Sequence, residues 1–339
     1  MDLNGKTILV TGATGSFGTQ FMRTVLERYE PHSIRVFSRD ELKQSQLIES
    51  FGHDKRLRLL IGDVRDVDRL RRATRGVDVI VHAAALKQVP ACEYNPFEAV
   101  QTNVLGAENV ISAAIDNSVP LTIALSTDKA VNPVNLYGAT KLCAEKIFAQ
   151  ANAYAPDGSV KFASVRYGNV VGSRGSVIPI FKQQAREGLV TLTDDRMTRF
   201  WITLPEAVEF VLTCMDLVQG GETFVPKIPS MRVTDIADAL APGIERRVVG
   251  IRPGEKLHEV MVTEDEARHA FDLGDRYVIL PQHAFWPRTD PDGDRLPDGF
   301  RYSSDNNDRW VTHEELRAMA DDIRPARRQS DRAQAGWEA

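Results

Sequence analysis

A short apolar run, Lys6 to Val10, ends in Thr11-Gly12-Ala13-Thr14-Gly15-Ser16-Phe17-Gly18 and passes at once into a segment with Phe21, Val25 and Leu26 at helical spacing. Strand, glycine turn and helix in that order leave a chain few options. The glycines allow a tight turn and a close backbone approach, and the helix start offers unpaired N–H groups and a positive dipole end. A pyrophosphate fits that arrangement, so Gly12, Thr14, Gly15, Ser16, Phe17 and Gly18 are expected around a dinucleotide. The spacing is G-x-x-G-x-x-G, one residue wider than the commonest dinucleotide fingerprint.

The same alternation continues. Ser33 to Ser38 reads as a second strand, with Arg39 at its end and Lys43 about one turn into the next helix. In a dinucleotide fold the adenosine ribose lies here, and an acidic residue binds the 2′-hydroxyl of NAD. Ser38, Arg39 and Lys43 suit a 2′-phosphate instead, so NADP is the expected cofactor; the competing reading is a surface ion pair between Arg39 and Asp40. Leu57 to Ile61 is a third strand that places Asp63 and Val64 at the adenine, and Arg65 to Arg75 reads as a solvated helix face. Val77 to His82 is a fourth strand running into Ala83, Ala84 and Ala85, small residues that let a cofactor pass close to the backbone, with Lys87 just beyond. His82 reads as a packed strand end. Pro96 opens a long helix through Val100, Val104 and Val110, with Asn103 inside it. Leu121 to Leu125 and Phe162 to Tyr167 are strands five and six. Residues 1–172 are therefore expected to form an α/β domain around a doubly wound parallel sheet of the Rossmann type.

Strand five delivers Ser126-Thr127-Asp128-Lys129 to the carboxyl edge of that sheet, where open α/β folds bind ligands. Tyr137 and Lys141 follow at i, i+4 spacing, so the ammonium shares a helix face with the phenol and favours its ionised form. Thr127, Asp128, Lys129, Tyr137 and Lys141 are thus the candidate catalytic residues, a set able to move protons near neutral pH. Burial is expected to raise the Asp128 pKa, and burial with like charge to lower that of Lys129, making the first an acid and the second a base. The bland alternative is a structural ion pair.

After Gly168 to Gly172 the strand and helix rhythm breaks. Residues 173–324 read as a smaller C-terminal substrate-binding region that closes over the sheet edge, with part of 204–228 returning to the first domain. Arg199 and Arg252 are suited to hold phosphates bidentately, or else form surface ion pairs. From Pro325 the chain is rich in Arg, Gln, Ala and Asp without periodicity, and residues 325–339 read as a disordered tail. Asp290, Asp292 and Asp294 imitate the start of a calcium loop, but Arg295 and Arg301 stand where its glycine and closing carboxylate belong. No metal is expected, since the histidines lack ligand spacing and Cys92, Cys143 and Cys214 form no C-x-x-C.

Composition removes other classes of function. The 339 residues are 42% hydrophobic, enough for a sizeable core, and carry a formal net charge of −5. There is no positive excess to neutralise nucleic acid and no basic block for a membrane surface. Every apolar stretch is interrupted before membrane-spanning length, and the N-terminal one leads into the glycine loop and not into a cleavage site. A soluble cytoplasmic protein, with neither nucleic acid nor membrane as partner, is expected.

The stretches TGATGSFG, SRDELKQ, ALSTDKAVNPVNLYGATKLCAEK, RYGNVVGSRGSV, MTRFWIT, FVPKIPSM, IRPGEKLHEVM and YSSDNNDRW run from Gly5 to about Met319. Together they resemble the extended short-chain dehydrogenases/reductases and, among them, the inverting UDP-N-acetylglucosamine 4,6-dehydratases that open pseudaminic acid synthesis. The resemblance implies NADP that stays bound and recycles, UDP-N-acetylglucosamine as substrate, and a homo-oligomer, a hexamer. Lys87, Asn169 and Glu255 join Arg199 and Arg252 as candidate contacts to the sugar nucleotide, Lys87 also serving the cofactor. Retaining dehydratases have Asp-Glu after the Thr, whereas Asp128-Lys129 is the inverting pattern, and C4 epimerases lack the pair. Tyr137, helped by Lys141, is then expected to take the 4-hydroxyl proton while hydride leaves C4, with Thr127 on the same oxygen. The ketone acidifies C5–H for Lys129, Asp128 protonates the departing 6-hydroxyl, and hydride returns to C6. A retaining dehydratase and a UDP-sugar epimerase or reductase are the alternatives on this fold. A non-catalytic NADP sensor is the alternative in another class, and the presence of both Tyr137 and Lys141 argues against it. Phe285 to Gly299 and the tail match nothing and inherit no role.

Overall fold

Strand β1 (Thr7–Thr11) is buried along its whole length in the computed structural model, which describes residues 1–155, 157–172 and 177–322. Its side chains alternate between two cores. Ile8 and Val10 pack with Phe21, Met22 and Val25 of helix α1 (Ser16–Arg28), whereas Leu9 joins Leu70, Val110 and Phe162 on the other face. Burial on both faces is the reason this strand is an uninterrupted apolar run.

Strands β2 (Ser33–Ser38), β3 (Leu57–Ile61) and β4 (Val79–His82) alternate with helices α2 (Glu41–Ser50) and α3 (Val67–Ala73). Helices α4 (Val89–Tyr94), α5 (Pro96–Val100) and α6 (Gly106–Asp116) lead to β5 (Leu121–Leu125), and α7 (Leu136–Ala151) to β6 (Lys161–Val165). The chain then leaves the sheet through β7 (Asn169–Val171), α8 (Val177–Glu187), β8 (Leu189–Leu192) and β9 (Thr198–Thr203). It comes back in α9 (Leu204–Met215), which lies against α1, and β10 (Thr223–Pro226), which pairs parallel with β6.

A second excursion contains β11 (Ser230–Arg232), α10 (Val233–Leu240), β12 (Glu245–Val248), β13 (Val260–Val262) and α11 (Glu264–Ala267). Strands β14 (Ala270–Asp272), β15 (Arg276–Ile279) and β16 (Asp294–Arg295) follow, then β17 (Tyr302–Ser303) and α12 (His313–Asp322). The main sheet has ten strands in the order β16-β14-β15-β10-β6-β5-β4-β1-β2-β3. From β10 to β3 the pairings are parallel; β15, β14 and β16 extend the sheet antiparallel. Strand order reverses between β1 and β4, which opens a crevice at their carboxyl ends. Beyond that edge β7, β9 and β11 form a small sheet, and Ile178, Phe181, Trp201, Ile236 and Leu316 build a separate core with α8, α10 and α12.

Three local expectations are corrected. Strand β4 begins at Val79 because Val77 N–H closes a turn onto Thr74 O. Strand β6 ends at Val165: its neighbour β5 stops at Leu125, and beyond it Tyr167 O accepts from Asp128 N–H, at 3.1 Å, outside the ladder. The long helix from Pro96 is broken by a wide π turn, Gln101–Leu105. Inside that turn Asn103 accepts from Leu86 N–H (2.8 Å) and donates to Leu86 O (2.9 Å) and Thr140 Oγ1 (3.0 Å), so one inserted residue ties the β4–α4 loop to α7. The tail from 325 and residues 173–176 lie outside the described residues.

Candidate active site

Gly12 has φ +65°, and a Cβ there would stand 2.8 Å from Ala84 Cα. The loop after β1 can therefore lie on the end of β4 only with glycine at this position. Gly15 N–H donates to Gly12 O at 2.9 Å, and a Cβ on Gly18 would meet Ala13 Cα at 2.6 Å, so the third glycine lets α1 pack on its own loop. A cleft of about 740 Å³ opens along this carboxyl edge. Its walls take in Gly12, Thr14, Gly15, Ser16, Phe17, Gly18, Ser38, Arg39, Lys43, Asp63, Val64, Ala83, Ala84, Ala85 and Lys87. They also take in Thr127, Lys129, Tyr137, Lys141, Asn169, Arg199, Arg252 and Glu255. Of the candidate residues, Asp128 alone has no surface there.

The competing surface pair between Arg39 and Asp40 does not form. Asp40 caps α2, accepting from Lys43 N–H at 2.9 Å and pairing with Lys43 Nζ at 2.6 Å, while Arg39 faces Asp63 at 3.7 Å. Both cationic side chains are about half exposed within the cleft wall. His82 is packed as expected: Thr11 Oγ1 lies 2.8 Å from its Nδ1, its ring stacks on Phe148, and burial lowers its pKa to about 3.

Beyond β5, Thr127 starts a single 3₁₀ turn, Asp128–Ala130. Its Oγ1 accepts from Lys129 N–H at 3.3 Å and donates to Asp128 Oδ1 at 2.8 Å. Lys129 Nζ donates to the same Oδ1 at 2.8 Å and to Asn169 Oδ1 at 3.0 Å. Asp128 is fully buried, and its Oδ2 has no hydrogen-bond partner among the described residues. Helix α7 docks on this turn through Gly138, where a Cβ would stand 2.1 Å from Lys129 O. Asn135 caps the helix by accepting from Gly138 N–H and reaches across to Gly254 O, both at 2.8 Å. One turn after Tyr137, Lys141 Nζ donates to Leu125 O at 2.7 Å.

The electrostatics correct two expectations. Burial pushes the Tyr137 phenol up to about 12, outweighing the downward pull of Lys129 and of a hydrogen bond with Thr127; the neutral form is favoured. Burial draws Lys141 down to about 8. Asp128 is raised, first by burial, as expected. Lys129, expected to fall, is raised: burial pulls it down, but the charges of Asp128 and Glu259 outweigh that pull.

Glu259 and Lys256 were not singled out from the sequence. Glu259 is 3% exposed, with Oε1 at 3.6 Å from Lys129 Nζ and 3.8 Å from Arg199 Nε, and Oε2 at 3.5 Å from Lys256 Nζ. Within IRPGEKLHEVM nothing separated it from an ordinary solvated charge. Arg199 is pinned in the wall, donating to Thr198 O (2.7 Å) and Leu257 O (3.0 Å), whereas Arg252 projects with 69% of its side chain exposed and pairs loosely with Glu255 at 3.7 Å.

A glycine loop at the switch point of a doubly wound sheet, with a Tyr-x-x-x-Lys helix docked beside a threonine at the end of the fifth strand, defines a protein of the short-chain dehydrogenase/reductase class. Residues 8–281 match the model of the polysaccharide biosynthesis protein family, and the chain belongs to that family. It is 50% identical over 323 residues to the inverting UDP-N-acetylglucosamine 4,6-dehydratase of Campylobacter jejuni subsp. jejuni serotype O:2, which covers 92% of this chain and 96% of that one. The UDP-glucose 4-epimerase of Rickettsia massiliae is 45% identical over 283 residues, covering 81% and 82%. The crystal structure of Pen from Bacillus thuringiensis superposes with a TM-score of 0.86 at 38% identity, over 95% of this chain and 99% of that one. Among the described residues no helix is long and apolar enough to cross a membrane.

Proposed function

We propose that this chain is a UDP-N-acetylglucosamine 4,6-dehydratase that inverts C5, giving UDP-2-acetamido-2,6-dideoxy-β-L-arabino-hexos-4-ulose. The observation that carries this reading is the Asp128–Lys129 pair, joined at 2.8 Å and set on the same cleft as Tyr137. A C4 epimerase has no work for such a pair, and the Campylobacter relative is named for this reaction.

The cleft fits a dinucleotide: Gly12 leaves room only for backbone against Ala84, and Arg39 and Lys43 supply positive charge for the 2′-phosphate of NADP. A nicotinamide held there by the glycine loop and by Tyr137 and Lys141 would supply the hydride chemistry, an acceptor for the C4 hydrogen and its return to C6. Tyr137 first releases its own phenol proton to solvent, then as the phenolate takes the proton of the 4-hydroxyl, and Thr127 bonds the same oxygen. Lys129 and Asp128 act as one unit. Passing their shared proton from amine to carboxylate leaves a neutral base and a neutral acid, the two forms that elimination needs. Lys129, which has surface on the cleft, takes the C5 proton made acidic by the ketone. Asp128 lies behind it, and its proton reaches the departing 6-hydroxyl by way of the lysine. Water is lost, a solvent proton returns to C5 from the other face in place of the one Tyr137 released at the start, and no net oxidation occurs.

In the same reading Lys87, Asn169, Arg199, Arg252 and Glu255 bind the sugar nucleotide. Residues 1–172 with part of 204–228 hold NADP, and the rest of 173–324 mainly holds the UDP-sugar. The enzyme works as a cytoplasmic homo-oligomer, a hexamer, at the start of pseudaminic acid synthesis.

The test is to incubate purified protein with UDP-N-acetylglucosamine, without added cofactor, and read the product by NMR. A 4-keto-6-deoxy sugar of L-arabino configuration supports the proposal. A D-xylo product makes the enzyme retaining, and a C4 epimer that keeps its 6-hydroxyl favours the epimerase reading suggested by the Rickettsia relative.

A further inference from the structure

We propose that Glu259 is a positioning residue for Lys129: its buried carboxylate holds the amine beside Asp128 and sets how firmly that pair keeps its shared proton while the sugar reacts. This deepens the dehydratase reading and rests on it.

Glu259 stands at the entry to β13, fixed by its own N–H donating to Ser304 Oγ at 2.9 Å. Its carboxylate is the shared counter-ion of three cations, Lys129 at 3.6 Å, Lys256 at 3.5 Å and Arg199 at 3.8 Å. Oε2 is buried and, among the described residues, has only the Lys256 ammonium as its partner. Glu259 borders a chamber of about 200 Å³ that Lys129, Asn135, Gly254 and Lys256 also line. Oε1 thus faces the amine that reacts and Arg199, while Oε2 faces Lys256, so the carboxylate spans the cations on both sides of the Asp128–Lys129 pair.

The charges that face Lys129 are Asp128 on its own turn, Glu259 and Lys256 from the β13 side, and Arg199 from β9; Glu255 borders the chamber and Tyr137 the cleft. Two carboxylates, Asp128 and Glu259, thus stand against three cations. Without Glu259 one carboxylate remains against three, and the Asp128–Lys129 pair gives up its proton more readily. Once that proton is gone no acid is left for the 6-hydroxyl, so the rate falls at a lower pH.

The experiment compares the unmodified enzyme with Glu259→Gln and Glu259→Asp, measuring turnover of UDP-N-acetylglucosamine against pH and deuterium wash-in at C5 in heavy water. For Glu259→Gln the alkaline limb is expected at least about one pH unit lower, a tenfold change in proton affinity, and C5 wash-in about tenfold slower at neutral pH. Substrate-dependent reduction of the bound nicotinamide is expected to persist. Glu259→Asp keeps the charge and withdraws it, so its limb falls in between; this variant decides the matter if the glutamine form does not fold. A limb that stays in place in the variant that folds, or turnover lost uniformly with pH while C5 exchange stays normal, overturns the proposal. If the unmodified enzyme releases no 4-keto-6-deoxy sugar, the dehydratase reading falls and takes this one with it.

Discussion

Arg166 meets Glu145 through two hydrogen bonds of 2.6 and 3.1 Å, with only 1% and 4% of the two side chains exposed. Glu145 lies one helical turn beyond Lys141, and the guanidinium also reaches Glu266 at 2.9 and 3.1 Å and Met261 O at 2.7 Å. One buried cation thus joins the Tyr137–Lys141 helix, the end of β6 and the segment that carries Glu259. Arg166→Met leaves two carboxylates buried without their partner, and a loss of about 3–5 kcal/mol in unfolding free energy is expected. A urea titration showing less than about 1 kcal/mol would mean that the network is solvated and not structural.

Tyr137→Phe removes one hydroxyl and no packing. Turnover is expected to fall by roughly 10²–10⁴, while the circular dichroism and cofactor content of the purified protein stay as they were. Retention of most of the activity would remove Tyr137 from the oxidation step.

Arg39→Ala is expected to narrow the preference for NADP over NAD by up to about 1.5–3 kcal/mol, the range for a charge-assisted contact. Part of that gain already offsets the ion pair with Asp63, so the lower end of the range is the expectation. Calorimetric titration with both cofactors measures it, and equal affinities in the unmodified protein would contradict the assignment.

Product made in heavy water is expected to carry deuterium at C5, whereas the hydrogen delivered to C6 stays protium because it never meets solvent. Lys129→Ala is expected to stop after oxidation, with reduced cofactor on the enzyme. In Asp128→Asn the amide can neither take up the lysine proton nor store one for the leaving group, so C5 exchange and loss of the 6-hydroxyl are both expected to slow while oxidation at C4 persists. Deuterium at C6 would show that hydride transfer is not internal.

Lys141 yields a prediction about stability. Burial lowers it from 10.5 to about 8, so between those values the folded chain binds fewer protons than the unfolded one, and stability rises with pH there. Below about pH 8 the buried charge is a penalty of roughly 3 kcal/mol, against which the bond to Leu125 O returns about 1 kcal/mol. Cofactor-depleted Lys141→Met is therefore expected to melt above the unmodified protein at neutral pH, with the gap closing as pH approaches 10.5. A difference in melting temperature that ignores pH would refute the charge assignment.

The parts of the site that were legible are those whose partners lie close in the chain. Gly12, Gly15 and Gly18 declare the loop because strand, turn and helix are consecutive, and Tyr137 and Lys141 declare a shared face through helical spacing alone. Lys129 was misjudged for the opposite reason. Its charge is held by Asp128 beside it and further by Glu259, which the chain brings in only after β7 to β12, and sequence carries no sign of that second approach. The wide turn at Asn103 was hidden likewise, since its purpose is a pair of bonds to Leu86 across a loop. The antiparallel strands β14 to β16 are too short for alternation to reveal them.

The return of the chain at β10 bears on how this molecule is made. Strand β6 pairs with β5 on one side and with β10 on the other, so its second edge waits from Val165 until Thr223 has been synthesised. Until then a ribosome-bound chain presents Phe162, Ala163 and Val165 on an unpaired apolar edge, the geometry that recruits a second copy. Closure over so long a loop is also slow, which lengthens the exposure. A fragment ending near 172 would keep the glycine loop, the Asp128–Lys129 pair and the Tyr137–Lys141 helix and still be a poor protein, because the strand that seals its sheet belongs to the half that was cut away.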